Sequence, residues 1–222
     1  PLLSWLPSAT LAVVVIVYSV GLIQPLEFRK IGQIRMMEFR WAVTACLGVL
    51  LFGTLQGIVV AILASLLGLA SQTAHPPVHV IGRKPGEDVL RPLSARHPED
   101  ETVPGLLILR PEGRLFFINV QHVAARMREL IATHQPEVVV LDMSRVLDVE
   151  YSALMVLKEG ERQASAKGVT LWLAGLNPGV LENVRRSGLA ARMGDSRMLF
   201  NARAAIRQYQ QMRGAPGPAP LA

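Results

Sequence analysis

A single cysteine in 222 residues, Cys46, excludes a disulfide framework and a thiolate metal cluster. Charge is scarce as well, at 18% against 50% hydrophobic residues, too little for an ordinary soluble domain of this length. The scarcity is local. Residues 1–26 hold no Asp, Glu, Lys or Arg, and residues 41–74 hold none, whereas charges recur every few positions from Arg83 to Arg213. Two kinds of solvent are implied, lipid for the first third and water for the rest. Aromatic residues, at 5%, supply no stacking platform, and the +6 net charge is interleaved with acids, so nucleic-acid binding is excluded. An anionic membrane surface is the nearer partner for that charge. No G-x-x-x-x-G-K-[ST], G-x-S-x-G or H-E-x-x-H motif is present, so no catalytic residue, cofactor or metal site is expected. The chain begins at Pro1, lacks the charged start of a signal peptide and reads as truncated upstream.

Residues 2–23 are nearly continuous Leu, Val, Ile and Ala, and about 20 such residues cross a bilayer core. A spanning helix is expected there, with Pro7 in its first turns and Trp5 and Tyr18 near its ends. Residues 24–40 set Leu26, Ile31, Ile34 and Met37 among Arg29, Lys30, Arg35 and Arg40, which reads as an interfacial amphipathic helix or as a plain basic loop.

The apolar run 41–70 has basic residues on both flanks, and basic flanks favour the cytoplasm. It is read either as a short hairpin reversing within FGTLQG (52–57), each limb about 12 to 16 residues and too short to cross, or as one long tilted helix. Gly48, Gly53, Gly57, Ala61, Ala64 and Gly68 permit the close packing that a hairpin needs. Neither run carries Asp, Glu, Lys, Arg or His, so an ion-binding site is not expected within this chain.

The organisation expected is membrane helices at 1–74, a linker at 75–104, an α/β domain at 105–213 and a disordered tail at 214–222. The linker is rich in Pro, His and mixed charge without sustained periodicity. His75 and His79 are four apart, but Pro76 and Pro77 between them forbid the helix that would align them on a metal.

In the α/β domain GLLILRPEGRLFFIN reads as two strands joined at Pro111-Glu112-Gly113 in a hairpin, with Phe116 and Phe117 alternating across it. A helix over 120–135 follows, then EVVVLDM as a doubly buried strand. A helix over 151–167 closes at Gly168, and VTLWLAGL makes the next buried strand, with Trp172 in the core. Asn177 with Pro178 opens one helix, MLF is a short last strand, and Asn201 heads the closing helix.

The order strand, turn, strand, helix, strand, then D-x-S before a helix, resembles the STAS domain of sulfate transporters and anti-sigma factor antagonists. The phrases GLLILRPEGRLFFIN, VVVLDMSRVLDVEYSAL and GVTLWLAGLNPGVLENVRRSGL are similar to those of SulP family anion permeases, and the likeness extends from LPSATLAVVVIV to the closing helix. It implies α-helical transmembrane segments followed by an α/β STAS domain, a mixed β-sheet with helices packed on it. It also implies a multi-pass protein of the inner membrane with the STAS domain cytoplasmic, an upstream membrane domain in the same protein, a homodimer, and transport of sulfate, bicarbonate or a related anion.

The resemblance places Ser152 at the phosphoacceptor position of the soluble relatives, where Glu150 and Tyr151 depart from the usual Asp-Ser/Thr; a structural helix-head hydroxyl is the other reading. Asp142, Ser144, Asp148, Glu150 and Tyr151 form the corresponding recognition loop, which would face a regulatory protein; the other reading of Asp142 and Ser144 is that they satisfy loop donors. A membrane-tethered STAS phospho-switch, its helices only an anchor, is the rival function.

Overall fold

The computed structural model describes residues 8–214. The expected tail from 215 onward, together with Trp5, Pro7 and the rest of 2–7, lies outside the described residues. The chain divides into two units, Pro1–Ala70 and Ser71–Ala222.

The first unit is helical: α1 (Ser8–Leu22), α2 (Pro25–Ile34), α3 (Met36–Phe52) and α4 (Thr54–Ala74), the last ending in the second unit. Residues 25–34 are therefore helix and not loop. Pro25 starts α2, where its missing N–H is harmless, and Glu27 in that first turn pairs with Lys30 at 2.7 Å. Phe28 meets Phe39 edge to face at 6.3 Å beside Gly32, and this holds α2 to α3.

The apolar run breaks at Gly53, whose φ of +84° suits glycine alone among common residues. Gly48, Gly57 and Gly68 are buried while the leucines around them are exposed. A Cβ on Gly57 would strike the Val49 backbone, and one on Gly68 would strike the Trp41 ring. Those two contacts run antiparallel, so α3 and α4 touch along glycine.

The expected limb lengths of about 12 to 16 residues are corrected: α3 has 17 residues and α4 has 21. The helix continues through the uncharged Ser71, Gln72 and Thr73 and stops only before Pro76 and Pro77. Two stretches, Ala9–Ile34 and Thr54–Ala74, are long and apolar enough to cross a membrane, the first of them interrupted at Gln24.

In the second unit the elements are β1 (Val78–Arg83), β2 (Leu90–Pro92), β3 (Leu106–Pro111), β4 (Gly113–Leu115), α5 (Val120–His134), β5 (Val138–Asp142), β6 (Val146–Val149), α6 (Tyr151–Ala166), β7 (Thr170–Ala174), α7 (Pro178–Arg186), α8 (Leu189–Met193), β8 (Met198–Leu199) and α9 (Ala202–Met212). The main sheet has the order β2-β1-β3-β5-β7-β8, parallel from β3 to β8, with β1 antiparallel to both β2 and β3.

Strand periodicity of two divides the core. Leu107, Leu109, Val139, Leu141, Leu171 and Leu173 face one layer that includes Val123 of α5, Leu154 of α6 and Val184 of α7. Ile108, Val140 and Trp172 face the other, which holds Ala205, Ile206 and Tyr209 of α9. Cover on both faces is why these strands are continuous apolar runs. Asn177 and Asn201 cap α7 and α9, each accepting a backbone N–H at 2.9 Å, from Val180 and Ala204 respectively.

Two expectations fail here. Residues 75–104 are not a surface linker: β1 and β2 belong to the sheet, and Ile81 is buried. Arg91 clamps the segment with a two-pronged bond to Asp100, Nε to Oδ2 and Nη2 to Oδ1, both 2.8 Å, and Arg83 and Glu101 exchange backbone hydrogen bonds at 2.9 Å. Nor is there a hairpin at Pro111-Glu112-Gly113. β3 pairs with β1 and β5, while β4 crosses to a separate two-stranded sheet with β6, in parallel. Phe116 and Phe117 then lie in the turn before α5 and not on a strand, and Phe117 is exposed.

Candidate recognition site at the head of α6

The site grows from the end of β5. Asp142 closes that strand and is buried; its Oδ2 accepts from Arg110 Nε at 2.8 Å and its Oδ1 from the Ser144 backbone N–H at 3.1 Å. Gly175, at the end of β7, has φ +67°, and a Cβ there would stand 3.1 Å from Asp142 Oδ1 and 3.2 Å from the Ser144 side chain. Asp142 therefore organises the turn and presents nothing to a partner, which corrects its place in the recognition loop. The cause is the arginine on the neighbouring strand. Ser144 is exposed beside it.

The chain then forms a 3-10 turn over Met143–Arg145 and enters β6. Along β6 and just beyond it, Asp148 and Glu150 stand two residues apart, so their side chains share one face. Arg114 on the paired strand β4 forks between them, reaching Asp148 Oδ2 at 3.0 Å and Glu150 Oε1 at 3.3 Å. Asp148 Oδ1 also accepts the Val149 N–H at 2.8 Å. Each carboxylate of the trio Asp142, Asp148 and Glu150 thus has an arginine, and among the described residues no three metal-ligating side chains converge.

Glu150 precedes α6 without capping it through its side chain; its backbone carbonyl accepts the Leu154 N–H at 3.0 Å. Tyr151 and Ser152 are the first two helical residues, the tyrosine 75% exposed and the serine half-buried. Their N–H groups belong to the turn that no helical carbonyl can satisfy. An open groove of about 560 Å³ lies alongside, lined by Asp148, Val149, Glu150, Tyr151, Leu154, Asn183, Arg186 and Ser187. One wall is acidic and the other carries Arg186, itself paired with Glu182 at 2.5 Å. Exposed Phe117, Ile118 and Leu147 add apolar surface on the β4–β6 side.

Ser144, Asp148, Glu150, Tyr151 and Ser152 thus follow one another along the 3-10 turn, β6 and the head of α6, while Asp142 is buried at the end of β5. Sequence reasoning missed Arg110, Arg114, Asn183 and Arg186. It also missed Asn119, which is buried, donates to the carbonyls of Arg114 at 2.7 Å and Thr73 at 3.1 Å, and accepts the Phe116 N–H at 3.0 Å. The i, i+2 spacing of Asp148 and Glu150 was the available signal for a cation on a facing strand.

A family model described as the STAS domain matches residues 97–204. High affinity sulfate transporter 2 of Stylosanthes hamata is 27% identical over 219 residues, covering 94% of this chain and 33% of that protein. A probable sulfate transporter of Mycobacterium tuberculosis is 26% identical over 212 residues, covering 95% of this chain and 38% of that protein. The chain therefore spans about a third of the length of the curated relatives it matches. Among solved structures, the murine Solute Carrier 26 family member A9 anion transporter in its inward-facing state has a TM-score of 0.70 at 18% identity, covering 86% of this chain and 31% of that one.

Proposed function

We propose, on the premise that this chain is a homologue of the SulP-type sulfate transporters with a STAS domain at residues 97–204, that it is the C-terminal part of a secondary active inorganic anion transporter. The observation that carries the reading is the extent of the similarity. It runs over 219 residues, through the apolar helices as well as the STAS domain. A phospho-switch on an arbitrary anchor needs no such likeness in its helices, so the transporter is the better supported of the two functions.

On this reading α1 crosses the bilayer, α2 lies in the interface, and α3 and α4 form a hairpin packed on glycine. The anion and coupling-ion sites belong to upstream helices of the same protein, because the described helices carry no Asp, Glu, Lys, Arg or His between Trp41 and Ala74. The STAS domain is cytoplasmic and serves folding, dimer contact and regulation; the surface from Ser144 to Ser152 is where a regulatory protein would dock. Sulfate and bicarbonate are the substrates to test. The complete protein in proteoliposomes is expected to take up labelled sulfate or bicarbonate above protein-free vesicles; failure to move any small anion would discard the assignment.

A further inference from the structure

We propose that Arg29 and Arg40 form a binding site for the phosphate of an anionic phospholipid, resting on the membrane reading above. The surface joining α2 to α3 combines two features. Leu26, Ile34 and Met36 stand 72%, 81% and 63% exposed, an apolar surface with no protein partner among the described residues. Four cations sit within the same segment, and they are not equivalent. Lys30 is taken by Glu27 at 2.7 Å and Arg35 by Glu38 at 3.0 Å, which uses both acids of residues 24–40. The guanidiniums of Arg29 and Arg40 have no acidic partner among the described residues, and both residues are exposed.

Their placement is fixed by packing. Arg29 follows Phe28 and Arg40 follows Phe39 in the chain, and those two rings meet at 6.3 Å, so both arginines stand on backbone adjoining the contact between α2 and α3. Exposed apolar side chains that seek acyl chains and unneutralised guanidiniums on the same pair of helices fit one occupant, a lipid with an anionic headgroup. Guanidinium matches phosphate through paired N–H donors, and this favours a phosphodiester over a diffuse counter-ion. A zwitterionic lipid offers the same phosphate with a cation attached, which lowers the gain.

The test uses the full chain in nanodiscs of equal phosphatidylglycerol and phosphatidylcholine, with retained lipid counted by native mass spectrometry after detergent exchange. Phosphatidylglycerol is expected to be enriched, and the enrichment is expected to fall about fivefold for each of Arg29→Gln and Arg40→Gln. Arg29→Lys with Arg40→Lys should keep part of it, and Arg207→Gln, on α9, should keep all of it. Equal retention of both lipids by the unaltered chain, or unchanged enrichment in the double Gln variant, overturns the site. Loss of enrichment in millimolar inorganic phosphate at constant ionic strength assigns the arginines to a free anion and overturns the headgroup. Release of the unaltered chain from membranes by alkaline carbonate overturns the membrane reading and the site together, whereas loss of lipid preference alone leaves that reading standing.

Discussion

Arg110 on β3 and Asp142 at the end of β5 form an ion pair inside the domain, with side-chain exposures of only 14% and 3%. Removing one member of such a pair leaves an unpaired buried charge, which costs about 3–5 kcal/mol. Asp142→Ala is expected to lower stability by that amount in denaturant unfolding of the chain in detergent. Arg110→Met with Asp142→Leu should cost less than either single change. A double variant as damaged as the sum of the two singles would mean the pair is not coupled.

Tyr209 of α9 donates to the Pro104 carbonyl and to Glu137 Oε2, both at 3.2 Å, and Arg213 pairs with the same carboxylate. Burial pushes the Tyr209 phenol above its ordinary value, and the bond to Glu137 pushes in the same direction. A raised folded-state pKa means stability that is fully present below about pH 10 and lost as pH rises through the folded value. Tyr209→Phe is expected to cost about 1 kcal/mol at neutral pH and to flatten the alkaline limb of stability against pH. An unchanged alkaline limb would contradict this assignment.

Asp100 behaves in the opposite sense. The hydrogen bonds from Arg91 hold its carboxyl below the usual range, so its contribution is present at neutral pH and is lost as pH falls below about 4. Acid should therefore loosen the β1–β2 ribbon before the parallel core. Asp100→Asn should speed hydrogen exchange at Arg83 and Glu101 at neutral pH while amides of β5 stay protected. Equal loss of protection in β5 would show that the ribbon has no separate stability.

Where the determinants are local, the chain was readable. The runs 138–142 and 170–174, the capping residues Asn177 and Asn201, and the Gly168 stop each announce themselves within a few residues. Failure began where partners are distant. β1 follows two prolines, and its strand character rests on pairing with β3, some 30 positions on. Arg91 and Asp100 look like loop charge until they are seen face to face. The Pro111-Glu112-Gly113 turn suggests a hairpin on local chemistry, but β4 pairs instead with β6, and only that pairing brings Arg114 to Asp148 and Glu150. Of the site, the acidic loop and helix head were legible; its arginines were not.

Gly57 offers a test in the helical unit. With its absent Cβ directed at the Val49 backbone, Gly57→Ala must separate α3 from α4 or bend one of them. The expected loss is about 1–3 kcal/mol, the range for overpacking, read as a lower melting temperature of the chain in detergent. Gly21→Ala, where a Cβ meets open space, is the control and should cost nothing measurable.

Ser152 decides between the two readings of the α6 head. A phosphate there would add about −1.5 to −2 charges beside N–H groups that favour anions, but also beside Asp148 and Glu150. Arg114 already serves both acids, so it cannot neutralise the newcomer without releasing one of them. The loop would have to rearrange, and the groove with it. In the complete transporter, Ser152→Asp is accordingly expected to change anion uptake at unchanged protein level, and Arg114→Ala, which frees the same two acids, should shift it in the same direction. Ser152→Ala should leave stability within about 0.5 kcal/mol. If Ser152→Asp and Ser152→Ala transport alike, the hydroxyl is part of the helix head and nothing more, and regulation must enter elsewhere on the domain.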